Sequence, residues 1–395
     1  MKKIMILGAG YSQVPLIKAA KRLGLYTIVS STPGDWPGFA EADESVYADI
    51  SDPQAVLEVA QRLQIDGITT CCLDTGVAAI GYVCEKMNLP GPTAQAARIA
   101  SNKYAMKEAF YKGNVQCARH VCIKNEAELE QALQVLQFPL IVKAVDLMGS
   151  RGIFRCNTKE DVFENYKKTM EATRQDYCLI EEFIEGTLFG TEAMIRNGEF
   201  VYCLPDNTEA FQSYVPTPIG HSIPFEREAD LGQQVREQVK KAISAVGLDN
   251  CPVNCDMIYK DQKVYVIEIT GRAGATCLPE LIGIYYGIDY YEAIVRLAMD
   301  MNVTALFDET KKHSACLAHV LSSDRTGIVK EIKNNNSSED YIEDLSFNIE
   351  PGELVRKYEN GRDRIGQVIV KGDTLEDCRM RLEQVLSGIE LIFES

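Results

Sequence analysis

The sequence predicts an α/β chain: a parallel sheet covered by helices, then a larger α+β region, then a small α+β piece. Three observations lead there. Apolar strand-like runs alternate with helix-period segments over 1–100. Over 101–305 strand pairs and a long amphipathic helix replace that alternation. A polar stretch, Asn334-Asn335-Asn336-Ser337-Ser338, with a further strand and helix after it, marks a third piece over 306–395. At 395 residues the chain exceeds one ordinary core, so two or three domains are expected.

Ile4-Met5-Ile6-Leu7 reads as a buried first strand. The apolar run stops at Gly8 without a cleavage pattern, so it is not read as a signal peptide. A helix over 12–23 follows, with Val14, Leu16, Ile17 and Ala20 on one face. Tyr26-Thr27-Ile28-Val29 is the next strand. Ser51-Asp52-Pro53 starts a helix that runs to about Leu63. Gly67-Ile68-Thr69-Thr70 is a strand, a helix covers 75–87, and Asn88-Leu89-Pro90-Gly91-Pro92 ends the unit. In the second region, Leu231, Val235, Val239, Ile243 and Val246 recur at helical spacing over 230–247, and Gly247 is a natural stop. Beyond it, Gln367-Val368-Ile369-Val370 reads as a strand and 374–386 as a helix.

Bulk properties remove several function classes. A net charge of -16 with no Lys/Arg block argues against a phosphate-backbone binder. No apolar run reaches the ~18–20 residues that span a bilayer. The 13 cysteines form no CxxC, and with four histidines they make no zinc pattern. Reduced, mostly buried thiols in a cytoplasmic protein are expected.

The first turn, Gly8-Ala9-Gly10-Tyr11-Ser12-Gln13, nearly matches GxGxxG, but Gln13 replaces the third glycine. The second strand ends in Ser30-Ser31, not in an acid for a ribose hydroxyl. Both argue against a nicotinamide dinucleotide and for a tight turn at a cleft edge.

The chemistry lies further along. Lys103 opens a helical segment, and Lys143 is the only charge in the strand Leu140-Ile141-Val142-Lys143. A solvated strand face is the bland reading of that lysine. The loop Met148-Gly149-Ser150-Arg151-Gly152 follows at once, and its glycines let backbone N–H groups approach an anion. Lysine and loop together favour phosphate. Glu181-Glu182-Phe183-Ile184, then Glu185-Gly186, forms a strand end whose backbone can pair with an adenine edge.

The most informative segment is a hairpin around Lys260-Asp261-Gln262-Lys263, with strands 253–259 and 264–270. A three-residue loop would set Asp256 opposite Glu268; other loops leave the two diagonal. Two carboxylates there would repel, and a hard cation resolves the conflict. Arg272, between Gly271 and Gly274, is placed for a transferring phosphoryl group. His221, in what reads as a proline-rich loop over 216–224, is either a cleft residue or a loop-packing one.

Taken together these residues resemble the ATP-grasp superfamily, in its carboxylate–amine ligase and carbamoyl-phosphate synthetase-like branch. The resemblance covers nearly the whole chain. It implies a Rossmann-like domain over 1–100, an ATP-grasp domain of two subdomains over 101–305 and a small C-terminal domain over 306–395. Lys103 and Lys143 then bind ATP phosphates under a mobile loop containing Gly149, Ser150, Arg151 and Gly152. Glu181, Glu182, Phe183 and Ile184 hold adenine, and Glu185 or Glu192 holds ribose. Asp256, Glu268 and Thr270 bind Mg2+, or Mn2+ in its place, and Arg272 and His221 serve catalysis. The family pattern Glu-x-Asn-x-Arg has Thr270 at the asparagine position here. The implied reaction activates a small carboxylate as an acyl phosphate and joins it to an amine, releasing ADP and phosphate. Nucleic-acid and membrane partners are not expected, and a homodimer is common in similar enzymes. Two alternatives stand beside this. One is a non-catalytic ATP-binding module or sensor, favoured by Thr270; the other is a carbamoyl-phosphate synthetase-like or phosphoribosylglycinamide synthetase-like enzyme.

Overall fold

A computed structural model describes residues 1–147, 152–211, 217–308 and 310–394. The chain opens with β1 (Lys3–Leu7), α1 (Val14–Arg22), β2 (Tyr26–Ser31), α2 (Pro37–Glu41), β3 (Glu44–Tyr47), α3 (Pro53–Leu63), β4 (Gly67–Thr69) and α4 (Val77–Met87). The four strands are parallel, in the order β3-β2-β1-β4. Alternate residues of β1 face opposite ways: Ile4 and Ile6 pack with Leu16 and Ile17, Met5 and Leu7 with Val56 and Ile80. Helices therefore cover both faces, as the sequence predicts. Asp52 caps α3 by accepting from the amides of Gln54 and Ala55, with Pro53 at the first helical position. A 3₁₀ turn over Tyr11–Gln13 delays α1 to Val14. The short α2 and β3 were not anticipated; neither is long enough to establish a period.

Next come α5 (Ala94–Ala100) and α6 (Lys103–Lys112), then β5 (His120–Ile123), α7 (Glu126–Ala132), β6 (Leu140–Lys143), β7 (Ile153–Cys156), α8 (Lys159–Ala172) and β8 (Cys178–Glu182). These four strands form an antiparallel sheet in the order β5-β8-β6-β7. The remaining central elements are β9 (Thr187–Arg196), β10 (Glu199–Phe211), β11 (Thr217–Ile223), α9 (Glu228–Val246), β12 (Cys251–Lys260), β13 (Lys263–Thr270), α10 (Leu278–Tyr286) and α11 (Tyr290–Ala298). The apolar stripe of α9 (Leu231, Val235, Val239, Ile243, Val246) is buried against Val253, Cys255, Val264 and Val266 of β12 and β13. Gly247 ends the helix at φ +82°.

The last part contains β14 (Ala315–Leu321), β15 (Gly327–Asn334), β16 (Ile342–Phe347), β17 (Leu354–Val355), β18 (Gly366–Gly372), α12 (Leu375–Ser387) and β19 (Ile389–Phe393). Its strands extend the central sheet, which runs β13-β12-β9-β10-β11-β14-β18-β16. A small sheet, β17-β15-β19, lies outside it. The first unit is tied to the rest in two ways. Ile294 and Leu297 of α11 share one core with Ile4 and Leu16, and Cys71 forms a parallel bridge with Ala273. Among the described residues no helix is long and apolar enough to cross a membrane.

Candidate active site

A cleft enclosing about 1210 Å³ of empty space, part of it open solvent, lies between the four-stranded sheet and one end of the central sheet. Lys103, Lys143, Glu181, His221, Asp256 and Glu268 all line it. The fold thus brings together in one cleft residues that lie far apart in the sequence, from Lys103 to Glu268.

The lysine side is built by α6 and β6. Asn102 caps α6 through the amide of Ala105, which fixes Lys103 at the first helical position. Lys103 Nζ donates to Leu147 O at 2.8 Å and lies 3.5 Å from Glu268 Oε2. Lys143 ends β6, 3% exposed, and its ammonium is held by Glu181 of β8. Burial pushes the Lys143 ammonium down, and Glu181 opposes that. Burial alone would raise Glu181, but Lys107 and Lys143 outweigh it and hold the carboxyl at about 2. Of the glycine loop, Gly149, Ser150 and Arg151 lie outside the described residues. Gly152 is described: its φ is +64°, and its carbonyl accepts from the Ala144 amide at 2.8 Å, which closes the loop's base.

Between the sheets the wall is apolar, with Ala118, Ile141, Ile153, Leu188, Ile258 and Val266. Glu182, Phe183 and Ile184 continue it. Arg155 stacks over the Phe183 ring at 4.3 Å and pairs with Glu185 at 2.5 Å. Glu192 is fully buried and accepts from the Gly274 amide with both oxygens at 3.1 Å. Neither Glu185 nor Glu192 is among the residues lining the cleft.

The acid pair comes from the hairpin. Its turn has two residues, Asp261 and Gln262, both left-handed at φ 48° and 58°. Lys260 pairs with Lys263, and the register continues regularly to Met257 with Val266. That spacing would put Asp256 against Ile267. A β-bulge between Asp256 and Met257 shifts the register by one, so Asp256 stands opposite Glu268. Burial, then Glu268, pushes the Asp256 carboxyl up to about 7. Among the described residues no group of three or more His, Cys, Asp or Glu could hold a metal. Two facing carboxylates with lysines nearby suit Mg2+, which completes its shell with phosphate oxygens and water.

Arg272 and Thr270 lie just behind the pair. Arg272 Nε donates to Asp74 Oδ1 at 2.7 Å, and its NH1 donates to Asn254 Oδ1 at 3.2 Å. Burial alone would raise the Asp74 carboxyl, but Arg272, and to a lesser extent the Thr270 hydroxyl, hold it below its ordinary value. Asn254 is the cross-strand partner of Thr270, so an amide does stand beside the position where the expected pattern has asparagine. His221 lies not in a loop, as the prolines suggested, but on β11, whose pairing with β10 and β14 keeps the segment extended; it is 7% exposed, with Nδ1 2.7 Å from Asp206 Oδ1. Pro216, in the stretch around it, lies outside the described residues.

At the first turn, the Gln13 side chain accepts from the Gly10 amide at 3.1 Å and donates to Cys71 O at 2.8 Å.

Sequence reasoning missed Lys107, Asp74, Asn254 and Asp206. Lys107 carried a signal, four residues after Lys103 on one helix face. Asp74 carried another, just past the carboxyl end of a parallel strand where such sheets bind ligands. Asn254 carried one in the hairpin, since the register that sets Asp256 opposite Glu268 also sets it opposite Thr270; Asp206 carried none, because its partner His221 lies on another strand.

Comparison with known proteins follows the same lines. A family profile described as "ATP-grasp domain" matches residues 100–276, and one described as "L-amino acid ligase C-terminal domain 2" matches 319–394. A crystal structure of phosphoribosylglycinamide synthetase from Anaerococcus prevotii is 42% identical, with all of both chains covered and a TM-score of 0.85. An L-amino acid ligase from Bacillus licheniformis shares the fold at TM-score 0.85 and 17% identity, over 100% of this chain and 99% of that one. A formate-dependent phosphoribosylglycinamide formyltransferase of Prochlorococcus marinus (strain NATL2A) is 23% identical, over 100% of this chain and 99% of its own.

Proposed function

We propose, for a chain that belongs to the ATP-grasp family of carboxylate–amine ligases, a specific division of labour in its cleft. The chain is an ATP-dependent enzyme forming a carbon–nitrogen bond; the residue roles and the substrate class are the proposal. One observation carries it. The 3.5 Å contact between Lys103 Nζ and Glu268 Oε2 joins the lysine side of the cleft to the acid pair. Side chains suited to phosphate thereby meet side chains suited to a metal ion, which supports the reading.

In this reading adenine lies against the apolar wall beside Phe183 and Ile184. Lys103 and Lys143 neutralise the phosphates as point charges. Asp256 and Glu268, with the Thr270 hydroxyl nearby, would hold Mg2+, which supplies positive charge to the phosphate oxygens. A carboxylate oxygen of a small organic or amino acid attacks the γ-phosphorus, and the bond to the ADP oxygen breaks. Arg272, fixed by Asp74 and Asn254, stabilises the charge on the transferring group. An amine nitrogen then attacks the acyl carbon, and the carbon–oxygen bond to phosphate breaks. His221, oriented by Asp206, takes the proton that the amine loses.

The test is ADP release from ATP and Mg2+ in the presence of mixed small carboxylates and amines. Release above background that depends on both pools supports the reading. Release that never exceeds background, with ATP still raising Tm, supports the non-catalytic sensor instead.

A further inference from the structure

One turn after Lys103, a second lysine of α6 is enclosed at the cleft. Lys107 is 1% exposed, and its Nζ lies 3.2 Å from Glu181 Oε2. The other Glu181 oxygen holds the Lys143 ammonium. Two cations and one anion therefore share a buried site, and all three line the cleft. Their formal charges sum to +1. An uncompensated charge removed from water is unfavourable, so this arrangement favours an anion on its open side.

The triad also solves a problem for Lys143. Its ammonium cannot turn to a phosphate if the move abandons a buried carboxylate. Lys103 is not available to compensate, being bound to Leu147 O and Glu268. Lys107 is available, and the core residues Met106 and Phe110 hold its helix in place. We propose that Lys107 is a positioning residue: it keeps Glu181 compensated so that Lys143 can exchange that carboxylate for a phosphate oxygen of ATP. This rests on the nucleotide reading of the cleft given above. With both lysines in place the Glu181 carboxyl is held down at about 2.

ATP affinity measured by titration calorimetry in four proteins tests it. The formal triad charge is +1 in the natural chain, 0 in Lys107→Met, +2 in Glu181→Gln and +1 in the double variant. Lys107→Met is expected to bind ATP about tenfold or more weakly, the scale of one lost charge-assisted bond. The double variant is expected to bind ATP more tightly than Lys107→Met, because its formal charge returns to +1, and any cost of losing the Glu181 carboxylate itself is read from Glu181→Gln. A purely structural lysine gives no such recovery. Unchanged affinity in Lys107→Met, or a double variant as weak as Lys107→Met, overturns the inference alone. If Glu181→Gln does not fold, the comparison of Lys107→Met with the double variant decides. Absence of ATP binding in the natural chain removes the nucleotide reading itself, and this role with it.

Discussion

Asp256 stands directly opposite Glu268 because a bulge between Asp256 and Met257 slips the hairpin register by one residue. The two acids then share one site, and burial beside Glu268 raises the Asp256 carboxyl to about 7. Glu268→Gln removes one of the paired charges with little change in shape. Mg2+-dependent ADP release should fall by at least roughly a hundredfold, the scale of a lost electrostatic stabiliser. Circular dichroism should show an intact fold; unchanged turnover takes Glu268 out of the mechanism.

Lys143→Ala leaves Glu181 paired with Lys107, so the buried site becomes neutral and the fold should persist. ATP affinity should drop about tenfold or more. Calorimetry that finds the same affinity counts against a phosphate role for Lys143.

Arg272 links the hairpin to the first unit through Asp74, 198 positions away. Arg272→Lys keeps a charge but loses the planar fork that meets both Asp74 and Asn254. The expected result is a fall in kcat of roughly tenfold to a hundredfold with KM for ATP nearly unchanged. Asp74→Asn should give a smaller fall in the same parameter. A change confined to KM for ATP would place Arg272 in ground-state binding.

Burial pushes Glu192 up to about 8, against the pull of the Gly274 amide. In an unfolded chain its value is about 4.3. The folded state thus binds the proton more tightly, and stability from this group falls as pH rises from about 4 to about 8. The loss has a ceiling of about 1.4 kcal/mol per pH unit. Glu192→Gln removes that dependence. Its Tm should exceed that of the natural chain at pH 7, with the gap closing towards pH 4. A gap that does not vary with pH contradicts a protonated Glu192.

Much of this was legible because it is local. The apolar period of 231–246 predicts α9, and Asp52-Pro53 predicts the start of α3. Glu268 among isoleucines signalled a carboxylate with a purpose. The bulge was not legible: no residue type marks it, and the turn length alone points to the wrong facing pair. Asp206 beside His221 depends on a pairing between strands that no periodicity reveals. The join of β11 to β14 in one sheet was hidden for the same reason, since 91 residues separate Ile223 from Ala315.

The central claim is that a carboxylate oxygen attacks ATP's γ-phosphorus. It is tested most directly with a pool of small carboxylic and amino acids bearing 18O at both carboxylate oxygens, supplied with amines, ATP and Mg2+. Mass spectrometry of the released phosphate should find one 18O atom in each phosphate formed along with amide. Phosphate that carries no label, at the level of ADP released, would contradict an acyl phosphate intermediate and the account built on it.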